Sequence, residues 1–531
     1  MPANSIFSVR SYSAFTPPGE LPFTLGLLTS SAADALFKVC LGRTNHPEFV
    51  IGVLKQLPWP SLNPDDRNAL GRLAHEGWRL RRSLDTTSEI SHAFIAPALL
   101  QVDNLSFAKR VEAWAEHVDA VQVELDRVQS DIDELGFVLY GISEQDRRAI
   151  IEGFGASEDN DSADAPGGDG YGDDMEDDSC EVVELDLRRL AAGLVSWAVG
   201  VAVGRFDVRF AIGGRPWSAE PNPFDPLPIC SPGMLTDGDG LPLAGTPPEY
   251  GLDVSPVLVH DPGHQLDISL RLRAVFDAVF GKEADRWWAD IGVALDAKGG
   301  EVRSWLGKGF FDYHLKTYSN SGRKAPTLWP IGTPSGSYVV WLYAHRVSSD
   351  SLFQILNDIV IPKLRIGERE LTQLRQDAGT DPTASQRRAI DTQERFVTEL
   401  HQFREELEAV APLWAPDLND GIVIVLAPLW QLFAHHRAWS SELKKHWAKL
   451  AKGDYDWAQL AMRLWPERVV PKCAEDRSLA IAHGIEDVFW VKEKASDDKW
   501  LPRQIPATPM DQLIAQRHSL ATTAALQRMS T

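Results

Sequence analysis

Between Gly309 and Arg346 the chain packs Phe310, Phe311, Tyr313, Tyr318 and Trp329 around His314, Lys316, Arg323 and Lys324, then passes through a Gly/Pro/Ser loop into a strand-like run, Tyr338 to Tyr343. Interleaved rings and cations suit a surface that meets nucleic acid, because rings stack on bases or sugars while Lys and Arg neutralise phosphates. The same residues also fit a half-buried hairpin whose aromatics are core and whose charges are solvated. Sequence alone leaves both readings open. Further candidate phosphate contacts are Arg43, with Lys38 and Lys55, near the start of the chain, and the basic turn Arg79, Arg81 and Arg82; each also reads as an ordinary solvated charge.

Other chemistries find little support. The four cysteines, Cys40, Cys180, Cys230 and Cys473, stand far apart with no Cys-x-x-Cys or Cys/His clustering, which argues against a zinc site or a disulfide framework. His435 and His436 are adjacent, so they cannot share a helix face, and we expect them in solvent rather than on a metal. Asp417 to Gly421 lacks the later Glu of a calcium loop. A strand expected at Ile422 to Leu426 follows Pro416-Asp417 without a Glu-x-Lys, and Val491 to Lys494 is too distant to complete a nuclease pattern. No Ser/His/Asp or Cys/His arrangement can be selected.

The elements that must position these residues are mainly helical. A chain of 531 residues holds two to four domains. Leu21 to Leu41 reads as a short strand running into a helix, and Phe49 to Leu54 as another strand. Asn63 caps a helix predicted over Asp66 to Leu84. Val111, Trp114, Val118, Val121, Leu125, Val128, Ile132, Leu135 and Leu139 repeat by threes and fours, which predicts a long amphipathic helix from Ser106, closed by Gly141, with Ser143 capping the next. Gly200 and Gly204 make a face on which another helix could pack. Leu266 to Trp305 reads as helical, with Trp287 and Trp288 in its core; Asp350 caps a helix to Val360; and Ala389 to Ala411 forms an antiparallel hairpin with the helix before Gly379.

Charge is concentrated. The formal net charge is −22, yet Ser157 to Asp186 alone holds 13 acidic residues and no basic ones, in a Gly-rich stretch that reads as a self-repelling disordered linker or, less plainly, a DNA-mimicking gate. The most apolar run, Leu190 to Gly204, is shorter than the ~18 residues of a membrane span and is bounded by arginines, so it reads as a buried helix. The N-terminus shows no basic segment followed by an apolar block. We therefore expect a cytoplasmic protein that engages no membrane.

Several stretches resemble one family. Phe310, Tyr313, His314 and Tyr318, followed by Arg323-Lys324-Ala325-Pro326 and Trp329, resemble a module of large adenine-specific DNA methyltransferases of BREX-type phage-defence systems and of the type IIG restriction-modification class. Asp133, Leu135 and Leu139-Tyr140-Gly141-Ile142-Ser143-Glu144 resemble the signature that closes the spacer helix of their specificity regions. Leu57, Pro58 and Pro60 are similar to the exit of a target-recognition domain, and Val195-Ser196-Trp197 to Phe206 to the helix after the spacer. Asp420-Gly421, Ala427 to Trp430, Tyr455 to Trp457, Ala461-Met462 and Trp465-Pro466-x-Arg468-Val469 keep the order found at the end of these enzymes.

This resemblance implies an α+β, mainly helical chain. It divides into the tail of a target-recognition-like domain (1–60), a helical spacer (61–156), the acidic linker (157–186), a helical domain with Pro/Gly-rich loops (187–308), the aromatic and basic module (309–362), a helical hairpin (363–411) and an α/β cap (412–531). Such enzymes need a glycine-rich turn for S-adenosylmethionine and an Asn/Asp-Pro-Pro-aromatic loop for the flipped adenine. Thr16-Pro17-Pro18-Gly19 and Thr246-Pro247-Pro248-Glu249 match neither requirement, and Gly153-Phe154-Gly155 opens no helix. The expectation is a specificity and scaffold portion without a Rossmann-like methyltransferase domain, catalytic residues, bound cofactor or metal. It would engage double-stranded DNA through His314, Lys316, Tyr318, Arg323, Lys324, Trp329, Arg43, Arg79 and Arg82. S-adenosylmethionine and the Asn-Pro-Pro-Tyr motif would sit on a partner methyltransferase subunit, with other defence-system proteins as further partners. The competing expectation is a protein-interaction scaffold that does not itself hold DNA.

Overall fold

The computed structural model describes residues 16–41, 52, 55–103, 106–152, 187–217, 219–243, 245–320, 323–493 and 500–530. The acidic linker, Arg43 and, apart from Gly52, the strand expected at Phe49 to Leu54 lie outside the described residues. Two compact units emerge, Met1–Gly251 with Val275–Asp296, and Leu252–Ala274 with Ala297–Thr531. Both are dominated by helices, and the few strands among the described residues pair antiparallel. No single helix among them is long and apolar enough to cross a membrane.

The first unit is built on helices α1 (Leu21–Leu28), α2 (Ser31–Leu41), α3 (Pro64–Asp85), α4 (Phe107–Tyr140), α5 (Glu144–Ile151) and α6 (Leu187–Ala202). The expected strand at its start is helical. Leu21 to Leu28 is a short apolar run whose period cannot separate strand from helix, and packing decides: Phe23 and Leu27 bury against Leu70 of α3 and Val128 and Ile132 of α4. Asn63 accepts a hydrogen bond from the Asp66 N–H, as expected, and Ser106, where the long helix was expected to begin, accepts one from the Lys109 N–H. Gly141 closes α4 at φ 62°, and Ser143 caps α5. Asp133 receives the backbone N–H and the hydroxyl of Ser31 at 2.7 and 2.8 Å, which ties the start of α2 to α4.

α6 is buried along most of its length, as its composition requires. Gly200 does not serve as a helix-packing face. A Cβ there would fall 2.3 Å from the Phe206 ring, so the glycine makes room for an aromatic brought back by the following turn. Helix α7 (Ile268–Phe280) contributes its second half to this unit and α8 (Ala284–Ala294) follows; Phe280 stacks on Trp287 at 4.2 Å, with Arg110 over the Trp287 ring. Trp287 is buried, whereas Trp288 is only partly so.

The second unit holds a three-stranded antiparallel sheet in which β1 (Val257–Val259) and a strand Leu328–Gly332 flank a central strand Val339–Tyr343. Every residue of the latter two strands is buried, so helices and loops cover the sheet on both faces. Helices α9 (Val302–Leu306) and α10 (Phe310–Thr317) lead into a minimal ribbon, β2 (Ser319–Asn320) with β3 (Arg323–Lys324), and then into the sheet strands β4 (Leu328–Gly332) and β5 (Val339–Tyr343).

After β5 come α11 (Ser351–Gln354), a π-helical turn over Ile355–Val360, and α12 (Ile361–Ala378) paired with α13 (Ala384–Val410). The expected hairpin is present. Thr383 and Gln386 form a reciprocal cap at the start of α13, Gln393 donates to the Gly367 carbonyl across the pair at 3.0 Å, and Arg375 bridges to Glu394. Ile422 to Leu426, expected as a strand, is helix α14 (Ile422–Leu426), and α15 (Arg437–Lys452) follows. The remainder is a helical cap rather than an α/β one. Its core gathers Leu450, Leu460, Leu464, Val469, Val470 and Cys473, and among the described residues its strand content is a single short hairpin, Trp490–Lys492 with Trp500–Pro502.

Candidate nucleic-acid interface

The candidate residues of the second unit sit on α10 and the ribbon that follows. In α10, Phe310, Phe311 and His314 share the inward face and are buried, while Lys316 turns outward. The chain then folds back so that Ser319 faces Lys324 and Asn320 faces Arg323, and the Ala325 N–H donates to the Tyr318 carbonyl at 2.9 Å to close the base of the ribbon. Lys316, Arg323 and Lys324 are exposed. Among the described residues none of the three meets a carboxylate.

Beneath them lies a rigid base. His314 is fully buried, and its Nε2 accepts the backbone N–H groups of Thr327 at 3.0 Å and Leu328 at 3.1 Å. That geometry requires a neutral ring with its proton on Nδ1. The Tyr318 ring packs on His314 at 4.4 Å. Trp329 is equally buried, donates from Nε1 to the Pro326 carbonyl at 2.8 Å, and meets Trp414 edge-on at 6.3 Å.

His314 and Trp329 are therefore core residues, not a DNA-contacting surface. The helical period turns His314 inward with Phe310 and Phe311, and Trp329 lies on a strand covered on both sides. Tyr318 is half-buried at the boundary. Of the set expected in this stretch, Lys316, Arg323 and Lys324 reach solvent together.

Arg79 and Arg82 belong to the first unit. Arg79 lies 3.5 Å from Glu220, and Arg82 sits over the Trp78 ring at 5.6 Å. Arg79 lines a shallow groove with Arg67, Arg72 and His75 beside Pro22 and Phe23. Lys38 pairs with Asp34 along α2 at 2.8 Å, and Lys55 is exposed in a turn.

Sequence reasoning missed a set of buried ion pairs that tie the second unit together. Asp267, 2% exposed, is held by two nitrogens of Arg303 at 2.9 and 2.5 Å, and Lys363 of α12 reaches Asp261 at 2.8 Å. Burial, with Asp261 nearby, holds the Tyr338 phenol far above its ordinary range, and burial with Arg303 alongside holds His260 below its own. The partners stand tens of residues apart, so no local pattern joins them. Both pairs lie at one end of the sheet, where Val259 pairs with Val340 and bridges to Asp267.

His435 and His436 are not in solvent. Both are half-buried, and neither ring nitrogen of His435 meets a hydrogen-bond partner among the described residues. Loss of hydration, with His436 adjacent, depresses His435 to about 3.

The arrangement offers fixed positive charge on a short ribbon above a stiff aromatic base, which is chemistry for holding a polyanion. No protein-family model matches this sequence, and no curated protein sequence matches it.

Proposed function

We propose that this chain is the DNA-engaging specificity and scaffold part of an adenine-specific DNA methyltransferase of the phage-defence or restriction-modification kind, working with a separate subunit that carries S-adenosylmethionine and the Asn-Pro-Pro-Tyr loop. The observation that carries this reading is the trio Lys316 at the end of α10 and Arg323 and Lys324 on the ribbon, exposed and, among the described residues, without acidic partners, above a base fixed by the His314 hydrogen bonds. A cation that already neutralises a carboxylate has less to offer a phosphate. These three are free to replace condensed counterions.

A second reading, a scaffold joining proteins without holding DNA, draws on the α12–α13 hairpin. Two side-chain contacts cross the pair, Arg375 with Glu394 and His401 with Glu368, as in a helical arm held as one unit. A labelled duplex titrated with the purified chain across salt concentrations separates the readings. Under the first, Arg323→Ala with Lys324→Ala weakens binding and flattens the salt dependence by about two counterions. Binding by the double variant equal to that of the native chain removes the ribbon from the interface.

A further inference from the structure

A second cationic surface lies on α15, where no functional residue was expected. The helix buries Trp439, Leu443 and Leu450 on one face. Lys445, Lys449 and Lys452, spaced by four and three residues, occupy the opposite face and are exposed, with only Ala448 and Ala451 between them. Among the described residues none of the three pairs with an acid. At a rise of about 1.5 Å per residue the three span roughly 10 Å, the reach of two or three successive phosphates on one strand.

The surroundings reinforce the charge. From Arg437 to Lys472 there are eight Lys and Arg against four Asp and Glu, in a chain whose net charge is −22. Of the four acids, Asp456 is buried and held by Arg468 at 2.8 Å and Lys472 at 2.5 Å. Glu442 lies 3.3 Å from His446 Nε2. Asp454 and Glu467 remain in solvent.

Alongside runs an aromatic row. The His446 ring, one turn from Lys449, stacks on Tyr455 at 5.8 Å with an interplanar angle of 13°, and the Tyr455 hydroxyl lies 3.0 Å from His446 Nδ1. Trp457 meets Tyr455 edge-on at 6.4 Å and is 44% exposed. The turn that brings this row back beside the helix passes through Gly453 at φ 98°, where a Cβ would come 3.1 Å from the Asp456 carboxylate.

Resting on the nucleic-acid reading given above, we infer that α15 is a second nucleic-acid contact: Lys445, Lys449 and Lys452 track a phosphodiester backbone, and Trp457 offers its ring to a sugar or an unstacked base. An acidic polypeptide would satisfy the lysines equally. The exposed tryptophan, joined to the lysine-bearing helix through Tyr455 and His446, favours nucleic acid, since a stacking platform serves a base and has no counterpart in a carboxylate-rich chain.

The test uses the full chain, labelled duplex and labelled single strand, and three variants: Lys445→Ala/Lys449→Ala/Lys452→Ala, Trp457→Ala, and Arg323→Ala/Lys324→Ala. All the substituted side chains lie at the surface, and unchanged thermal unfolding checks that each variant folds. The lysine triple variant is expected to lose at least tenfold in duplex affinity at low salt and to flatten the salt dependence by about three counterions. Trp457→Ala is expected to cost about tenfold on single strand and less on duplex. Native-like binding by the lysine variant overturns the inference even where the ribbon variant is impaired. Loss in the lysine variant with a silent ribbon variant supports it and removes the ribbon instead. Polyglutamate that displaces duplex from the native chain as well as unlabelled duplex does, or a native chain that binds neither nucleic acid, overturns it in favour of an acidic protein partner.

Discussion

Two stretches of the second unit are built from the same residue types and put them to opposite use. From Phe310 to Trp329 aromatics and cations alternate closely, and folding separates them: His314 and Trp329 go to the core while Lys316, Arg323 and Lys324 stay outside. From Arg437 to Trp457 the mixture is no richer, yet aromatic and cation both stay exposed, with Trp457 joined through Tyr455 and His446 to the helix that carries the lysines. Residue type states what a side chain could do. The period of the element that carries it decides whether it is placed to do it.

The largest effect that sharpens this contrast is on stability. Trp329→Ala removes a fully buried indole and the hydrogen bond to Pro326, and should destabilise the chain by about 4 kcal/mol. Trp457→Ala should stay within about 0.5 kcal/mol, because the ring is 44% exposed. Denaturant midpoints for the two variants measure the difference directly. Equal midpoints would mean that the two tryptophans are not in such different places.

That contrast also marks how far sequence alone reaches. Long amphipathic elements were legible because many residues vote together: the stripe from Val111 to Leu139 belongs to a helix spanning Phe107–Tyr140, and Asn63 and Ser143 cap where expected. Short apolar runs were not. Leu21 to Leu28 and Ile422 to Leu426 read as strands and fold as helices, because a few apolar residues carry no period and the neighbours that bury them decide. In the candidate site, the cations of the ribbon were legible as exposed charge. The fates of His314 and Trp329 were not, since their partners, the Thr327 and Leu328 amides and Trp414, become neighbours only after folding. The pairs Asp267–Arg303 and Asp261–Lys363 stayed hidden for the same reason.

A smaller effect separates the half-buried His435 from ordinary surface histidines. His435 remains neutral in the folded chain down to a pH of about 3, whereas an unfolded histidine takes a proton near pH 6.5. Its folded value is depressed, so below about pH 6.5 the unfolded state binds the extra proton. Stability is then full at neutral pH and falls by about 1.4 kcal/mol per unit, reaching a deficit of about 2 kcal/mol at pH 5. Unfolding followed between pH 7.5 and 5 should show this slope in the native chain and a shallower one in His435→Leu. Parallel slopes would place His435 in solvent, where the pattern of adjacent histidines had put it.

The smallest effect addresses a rival account of the α15 lysines. Cations in the last turn of a helix stabilise it by opposing the partial negative charge of the free carbonyls, a contribution of about 0.3–1 kcal/mol that fades within one turn. Lys449 and Lys452 lie in that turn, whereas Lys445 stands a full turn earlier. If the lysines are there for the helix, Lys452→Ala should cost a few tenths of a kcal/mol and Lys445→Ala nothing, with no change in nucleic-acid binding from either. If they form one phosphate-tracking face, the two variants should weaken duplex binding by similar factors at low salt despite unequal effects on stability. Stability thus reports position along the helix axis and binding reports the shared face, so measuring both on the same two proteins distinguishes a helix terminus from an interface.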